Sequence, residues 1–276
     1  MENYEKTGYL TSNFKMFHII DRQQKAFSFH YHDFNKILIF IRGDVTYCIE
    51  GRSYELRPYD VVFVKAGEVH RPVIHSDAIY ERIIIYVSPD FISSYQNKNY
   101  DLNYCFKKAQ TEKSNVLRMD SFDRSKLYEV TCELERSFSD ADYAGELYQN
   151  ILFLEFMIQL NRATIHNHID YVNTSAANPK VLALLDFLNT HLTEDISIDR
   201  LSEEFFISKY YLMHTFKEET GYTIGNYLTT RRLLRARDLI KGGSPITEAC
   251  FSSGFKNYSS FSRAYKKYFK KAPREL

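Results

Sequence analysis

Between Phe27 and Val87 the apolar residues come in short runs broken by turn residues: "KILIFIRGD", "VTYCIEGRSYEL", "RPYDVVFVKAGEVH" and "YERIIIYVSPD". Runs of this length, rich in Ile, Val, Phe and Tyr, predict the strands of an all-β sandwich or barrel. The "IEGRSY" segment predicts a hairpin in which Gly51 supplies a positive φ. After about Asp120 the period turns helical, first in "SKLYEVTCELERSF" and then in "YAGELYQNILFLEFMIQLNRA", residues 143–163. The second of these is apolar almost all round, so it must be covered on more than one side. A barrel face covers one side, and the neighbouring helix or the same helix of a second subunit must cover another. The expectation is a homodimer formed through residues 121–168. The polar stretch "HIDYVNTSAANP" follows, without period and ending in a proline that can open a helix. It reads as a linker.

The last hundred residues repeat themselves. Ile198, Leu201 and Ser202 match Ile246, Ala249 and Cys250 at an offset of 48, and Leu212, Phe216 and Lys217 match Phe261, Tyr265 and Lys266 at 49. Each copy predicts a short helix, a turn and a second helix opened by a good N-cap, Ser208 or Asn257. This is a helix-turn-helix, twice. On a helical wheel the second copy places Phe261, Ala264, Tyr265, Tyr268 and Phe269 on one side and Ser259, Ser262, Arg263, Lys266 and Lys267 on the other. In the first copy Leu212, Thr215 and Phe216 turn inward, leaving Tyr210, Met213, His214 and Lys217 outside. Aromatics hold each helix on a small core, and the opposite face offers groups that can reach base edges and phosphates in a major groove.

These residues, above all "ITEACFSSGFKNYSSFSRAYKKYFKKAP", resemble the DNA-binding domain of the AraC/XylS family of bacterial transcription regulators over residues 180–276. Ile246, Ala249, the small Cys250, Gly254, Phe255, Phe261, Tyr265 and Pro273 fit the family signature. Lys270 departs from it, standing where glycine is usual. The resemblance implies a first helix-turn-helix at about 198–219, a joining helix at about 223–241 and a second helix-turn-helix at about 246–269. It implies recognition helices entering successive major-groove half-sites of double-stranded DNA, about 34 Å apart. Carried over by position, Tyr210, Met213, His214, Tyr258, Ser259, Ser262 and Arg263 are candidates to read bases, and Lys209, Lys217, Asn257 and Lys267 to hold phosphates. An activator of this kind would also meet RNA polymerase.

Charge agrees. From Gly225 to Leu276 twelve Lys or Arg stand against three acids, a surplus of +9 in a chain whose net charge is +1. The remaining 224 residues therefore carry −8. A basic surplus confined to the last quarter argues against a coat spread over nucleic acid without sequence preference. The four scattered cysteines form no CxxC pair and read as reduced structural thiols. The N-terminus is polar and acidic, and no apolar run approaches the ~20 residues that span a bilayer, so the expectation is a cytoplasmic protein with no membrane partner.

In the strand-rich part, "HYHDFNKILIFIRG" and "YDVVFVKAGEVHRPVI" resemble the two cupin motifs in spacing. His30, His32, Gly43, Gly67 and His70 hold their places. Lys36 stands where metal-binding cupins carry glutamate, and Tyr59, Lys65 and Ile74 replace the second motif's first glycine, proline and asparagine. His30, His32 and His70 could together ligate Zn²⁺ or Fe²⁺, but an ammonium in the fourth ligand's place would repel the ion, so no metal or other cofactor is expected. His30, His32, Lys36 and His70 are instead candidates to bind a small effector, a sugar or an anionic compound, as the family resemblance implies.

The expected fold is thus a two-domain α+β chain: a cupin-like jelly-roll barrel over 1–120, a helical dimerisation segment over 121–168, a linker over 169–179 and an all-α domain of two helix-turn-helix units over 180–276. The expected function is sequence-specific transcription activation in response to a small metabolite. No set of nucleophile, base and orienter can be assembled, which argues against an enzyme. The alternative is a cupin-type metalloenzyme or a metal-sensing regulator.

Overall fold

The computed structural model describes residues 10–22, 27–139, 142–165, 169–174 and 176–275. Residues 1–9 and 23–26 of the stretch read as barrel, 140–141 and 166–168 of the helical segment, 175 of the linker and Leu276 lie outside the described residues. The chain divides into two compact units, an N-terminal one of residues 6–49 and 53–176 and a C-terminal one built on 177–276.

The N-terminal unit is two sheets. Strands β1 (Phe14–Asp21), β2 (Asn35–Arg42), β3 (Val45–Ile49), β4 (Arg52–Glu55), β5 (Val61–Val64), β6 (His70–Ile74) and β7 (Tyr80–Val87) are followed by helices α1 (Pro89–Ser93) and α2 (Tyr104–Thr111), then β8 (Val116–Met119). Helices α3 (Lys126–Ser137) and α4 (Gly145–Ile165) come next, then β9 (Ile169–Tyr171) and β10 (Ala176–Ala177). A six-stranded sheet runs β1-β7-β2-β5-β8-β9 and a four-stranded one runs β10-β4-β3-β6. The arrangement is that of a jelly roll. The β3–β4 hairpin turns on Glu50 and Gly51 with φ of 48° and 73°, the two positive values that a tight hairpin loop favours.

Side-chain alternation explains why the middles of β2 and β7, Ile37–Ile41 and Ile83–Ile85, are apolar on both faces. Ile37, Ile39, Ile83 and Ile85 point to one face and join a core with Leu127, Val130, Leu134, Leu152, Phe153 and Phe156 of α3 and α4. Leu38, Phe40 and Ile84 point to the other and meet Val45, Tyr47, Ile49 and Tyr54 of the second sheet. A sheet covered on both faces loses its polar alternation. Phe153 of α4 stacks on Phe14 with centroids 4.1 Å apart, and burying each such ring is worth roughly 1.5–3 kcal/mol. Buried Asn161 of α4 accepts from the Cys105 N–H (2.7 Å) and donates to the Leu102 carbonyl (3.1 Å), which satisfies backbone at the start of α2.

Helix α4 is covered on one broad face only. Leu147, Ile151 and Ile158 remain 60%, 53% and 40% exposed, a stripe at helical spacing beside half-buried Leu154. Residues 169–171 and 176–177, read from sequence as linker, instead form edge strands β9 and β10. Pairing of two or three residues at a sheet edge rests on backbone hydrogen bonds and leaves no periodic pattern to read.

In the C-terminal unit, α5 (Pro179–Thr190) opens with its proline in the first turn, capped by Asn178. Then come α6 (Ile198–Glu204), α7 (Lys209–Thr220), α8 (Ile224–Lys241), α9 (Ile246–Ser252) and α10 (Tyr258–Phe269). Leu201, Leu212, Phe216, Tyr227, Leu233, Ala249, Cys250, Phe261 and Tyr265 are buried in this unit.

Candidate functional site

Two turns built alike place α7 and α10. In the first, Phe206 N–H donates to the Glu203 carbonyl and Ile207 N–H to the Ser202 carbonyl; in the second, Gly254 donates to Phe251 and Phe255 to Cys250, each at the repeat's offset of 48. Phe206 takes a φ of 52° where Gly254 takes 97°. The Gly254 position admits no larger residue, since a Cβ there would meet the Leu192 carbonyl oxygen and Thr193 Cα at 2.9 Å. Ser208 Oγ accepts from the Tyr211 N–H and Asn257 Oδ1 from the Ser260 N–H, so both N-caps close as their residue types require.

The outward faces carry what the wheel expects. Tyr210, Met213, His214, Lys217, Tyr258, Ser259, Arg263 and Lys267 are exposed, and Ser262 is half-buried. Tyr210 stacks on His214, which lies 3.6 Å from Glu218. Arg263 Nε donates back to the Ser259 carbonyl (3.3 Å). Lys209 pairs with Asp199. Because Asn257 Oδ1 is spent on its own helix, only its amide NH₂ remains to meet a phosphate.

A second group of polar side chains lies inside the N-terminal unit. Lys36 is 5% exposed and shares the inner face of β2 with Leu38 and Phe40. Its ammonium donates to the Tyr47 hydroxyl at 2.8 Å and has no carboxylate partner among the described residues. Burial, and then the charge of Arg82, push Lys36 down to about 7. Arg82 on β7 is buried as well, held by Asp21 (2.6 Å) and lying over the Tyr80 ring (4.0 Å). Burial raises the Tyr47 phenol well above its ordinary range.

His30, His32 and His70 come together beside Lys36. His30 and His70 exchange backbone hydrogen bonds of 3.1 and 2.9 Å, while Gly67 N–H donates to the His32 carbonyl. One potential ligand nitrogen from each ring lies within 4.8 Å of the others. Desolvation first, then the Lys36 charge and the other two imidazoles, hold His70 well below its ordinary range.

Two family models match this chain. The AraC-like ligand binding domain matches residues 13–119 and a helix-turn-helix domain matches 201–276, together more than half of the sequence and in the order of the two units. The chain belongs to the AraC family of transcription regulators. The HTH-type transcriptional activator RhaS of Shigella sonnei (strain Ss046) is 24% identical over 254 residues, 92% of this regulator and 88% of that protein. RhaS of Escherichia coli (strain K12 / DH10B) is 23% identical over the same lengths. Among solved structures, ToxT from Vibrio cholerae is 16% identical with a TM-score of 0.38, covering 96% of the regulator and 97% of that chain. The C-terminal domain of AraT from Geobacillus stearothermophilus is 26% identical with a TM-score of 0.35, covering 36% and 83%.

The structure brings all four residues read from sequence as effector contacts into one interior. It adds Arg82 and Tyr47, which sequence reasoning passed over. The signal for Arg82 was present: in "YERIIIYV" it is a charge on the same side of the strand as Ile84 and Tyr86. Tyr59, where the cupin motif has glycine, takes a left-handed φ of 71°, a conformation that glycine reaches more easily. Lys270 likewise ends α10 with φ 59° where the family signature has glycine.

Proposed function

We propose that the regulator activates transcription by reading successive major-groove half-sites with α7 and α10, under control of an anionic or polyhydroxy metabolite held in the N-terminal unit. The observation that carries the DNA-reading half is the pair of capped helices, each buried on its aromatic face and exposed on its polar one. Tyr210, Met213, His214, Tyr258, Ser259, Ser262 and Arg263 address bases; Lys209, Lys217, Asn257 and Lys267 address phosphates. A buried ammonium with one hydrogen bond among the described residues, within electrostatic reach of the Arg82 charge, supports an effector that brings oxygen acceptors or negative charge to Lys36. His30, His32 and His70 complete that site. The exposed stripe of α4 supports a homodimer, which places two DNA-reading units on one operator, and an activator then contacts RNA polymerase. The protein acts in the cytoplasm as a DNA-binding regulator and not as an enzyme, and among the described residues no helix is long and apolar enough to cross a membrane.

Competition binding to operators mutated one base pair at a time tests the assignment. Arg263→Ala is expected to lose roughly 1–3 kcal/mol of discrimination at one position, whereas Lys267→Ala weakens all sequences alike. Equal weakening by Arg263→Ala at every site would show that this arginine only holds phosphate.

A further inference from the structure

We propose that Arg232 is a positioning residue that fixes the distance between α7 and α10, and so decides which spacing of two half-sites the regulator reads. This rests on the reading of α7 and α10 as the helices that enter the major groove. Helix α8, which joins the two copies, cannot fix that distance alone, because long helices bend. A second contact off the α8 axis removes the freedom.

That contact lies at residues 192–195, in the loop that leads into α6. From α8, Arg232 Nε donates to the Leu192 carbonyl (2.8 Å) and Nη2 to the Glu194 carbonyl (2.7 Å). A planar guanidinium fork holds two acceptors in one geometry, which a single ammonium does not. From α6, Arg200 Nη1 reaches the same loop at the Asp195 carbonyl (3.3 Å) and the Glu194 carboxylate (2.8 Å). The loop is tied to the first copy on one side and to α8 on the other.

The second copy rests on the same loop. A Cβ at Gly254 would meet Arg232 Nε as well as the Leu192 oxygen and Thr193 Cα, each at 2.9 Å. The first copy closes its turn with the same pair of hydrogen bonds around Phe206, which is 94% exposed. Such a turn can carry a large residue, and at Gly254 it is the loop that takes the space. Two residues on, Lys256 pairs with Asp195 at 2.6 Å. Both ends of that pair are exposed, and exposed pairs contribute little, so the joint depends on half-buried Arg232. Gly254 lies in the turn that aims α10, so the loop that opens the first copy seats the recognition helix of the second.

One base pair more between two half-sites turns one against the other by about 34–36° and shifts it by about 3.4 Å. A rigid pair of helices cannot follow that change, and a loosened pair can. The test uses the full-length regulator and a duplex that it selects from a random-sequence library, with one base pair then inserted or removed between the half-sites. The unaltered protein is expected to lose at least about tenfold in affinity at either changed spacing. Arg232→Ala is expected to bind the selected duplex more weakly and to cut that loss to about threefold or less, with Arg232→Lys in between. A merely destabilised fold, or an arginine that only held phosphate, would weaken all three duplexes alike and leave the ratio between spacings unchanged. Circular dichroism shows which variants fold, and Arg232→Lys carries the test if Arg232→Ala does not. An unchanged ratio in a folded variant, or an unaltered protein indifferent to spacing, overturns the proposal and leaves the DNA reading standing. A selection that yields no paired half-sites overturns that reading and the proposal with it.

Discussion

Replacing Lys36 by Met should stabilise the N-terminal unit, and the size of the effect should depend on pH. The unfolded chain keeps this lysine near 10.5, while burial and the Arg82 charge bring it to about 7 in the fold. Between those values the unfolded state binds more protons than the folded one, so stability rises with pH. Each tenfold loss of proton affinity is worth about 1.4 kcal/mol, so the cost of keeping this amine buried is about 4 kcal/mol at pH 7 and about 2 kcal/mol at pH 9. Below pH 7 the folded amine also takes its proton, and the cost levels off near about 5 kcal/mol. Lys36→Met keeps most of the side-chain volume and removes the titration. Urea denaturation followed by circular dichroism, for both proteins between pH 6 and pH 9, isolates this contribution as a difference in which titrating groups remote from Lys36 cancel. The expected gap narrows by about 2 kcal/mol from pH 7 to pH 9. A gap that stays constant over that range would show that the ammonium is already compensated inside the fold, and would remove the reason for assigning it an anionic partner.

Ile151→Glu with Ile158→Glu places two charges in the exposed stripe of α4 without touching its buried face, and is expected to yield folded monomers that bind paired operator sites more weakly. Light scattering decides it, and a mutant that remains dimeric would move the interface elsewhere. Met157 is fully buried, so a charge there would unfold the unit and report nothing about assembly. Lys270→Gly should raise the thermal stability of the C-terminal unit by about 1 kcal/mol, because glycine adopts the left-handed cap of α10 without a Cβ clash. An unchanged or lower midpoint would show that the Lys270 side chain makes up for its backbone strain.

Much of the C-terminal unit was legible because its determinants are local. A capping side chain must lie within three residues of the N–H it accepts from, and Ser208 and Asn257 sit where they must. A recognition face follows from a period of 3.6 residues, so exposed Arg263 and buried Tyr265 were readable before any coordinates. The duplication made each copy a check on the other, down to Phe206 holding the left-handed turn that Gly254 holds. The short apolar runs of β2 and β7, bounded by turn residues, likewise told of strands.

Other features depended on partners distant in the chain. Whether a histidine is a surface group or part of a buried trio is decided by strand pairing that lays His70 beside His30. Lys36 titrates near neutrality because the second sheet buries it and, as a smaller effect, because β7 carries the Arg82 charge within electrostatic reach. Which face of α4 stays open depends on where α3 and the six-stranded sheet lie, and β9 and β10 exist only because sheet edges are there to receive them. Capping and periodicity are set within a few residues, so the helices of the repeat and their reading faces can be traced along the chain. Desolvation, charge proximity and register depend on what surrounds a residue, and they emerge only once strands and helices pack.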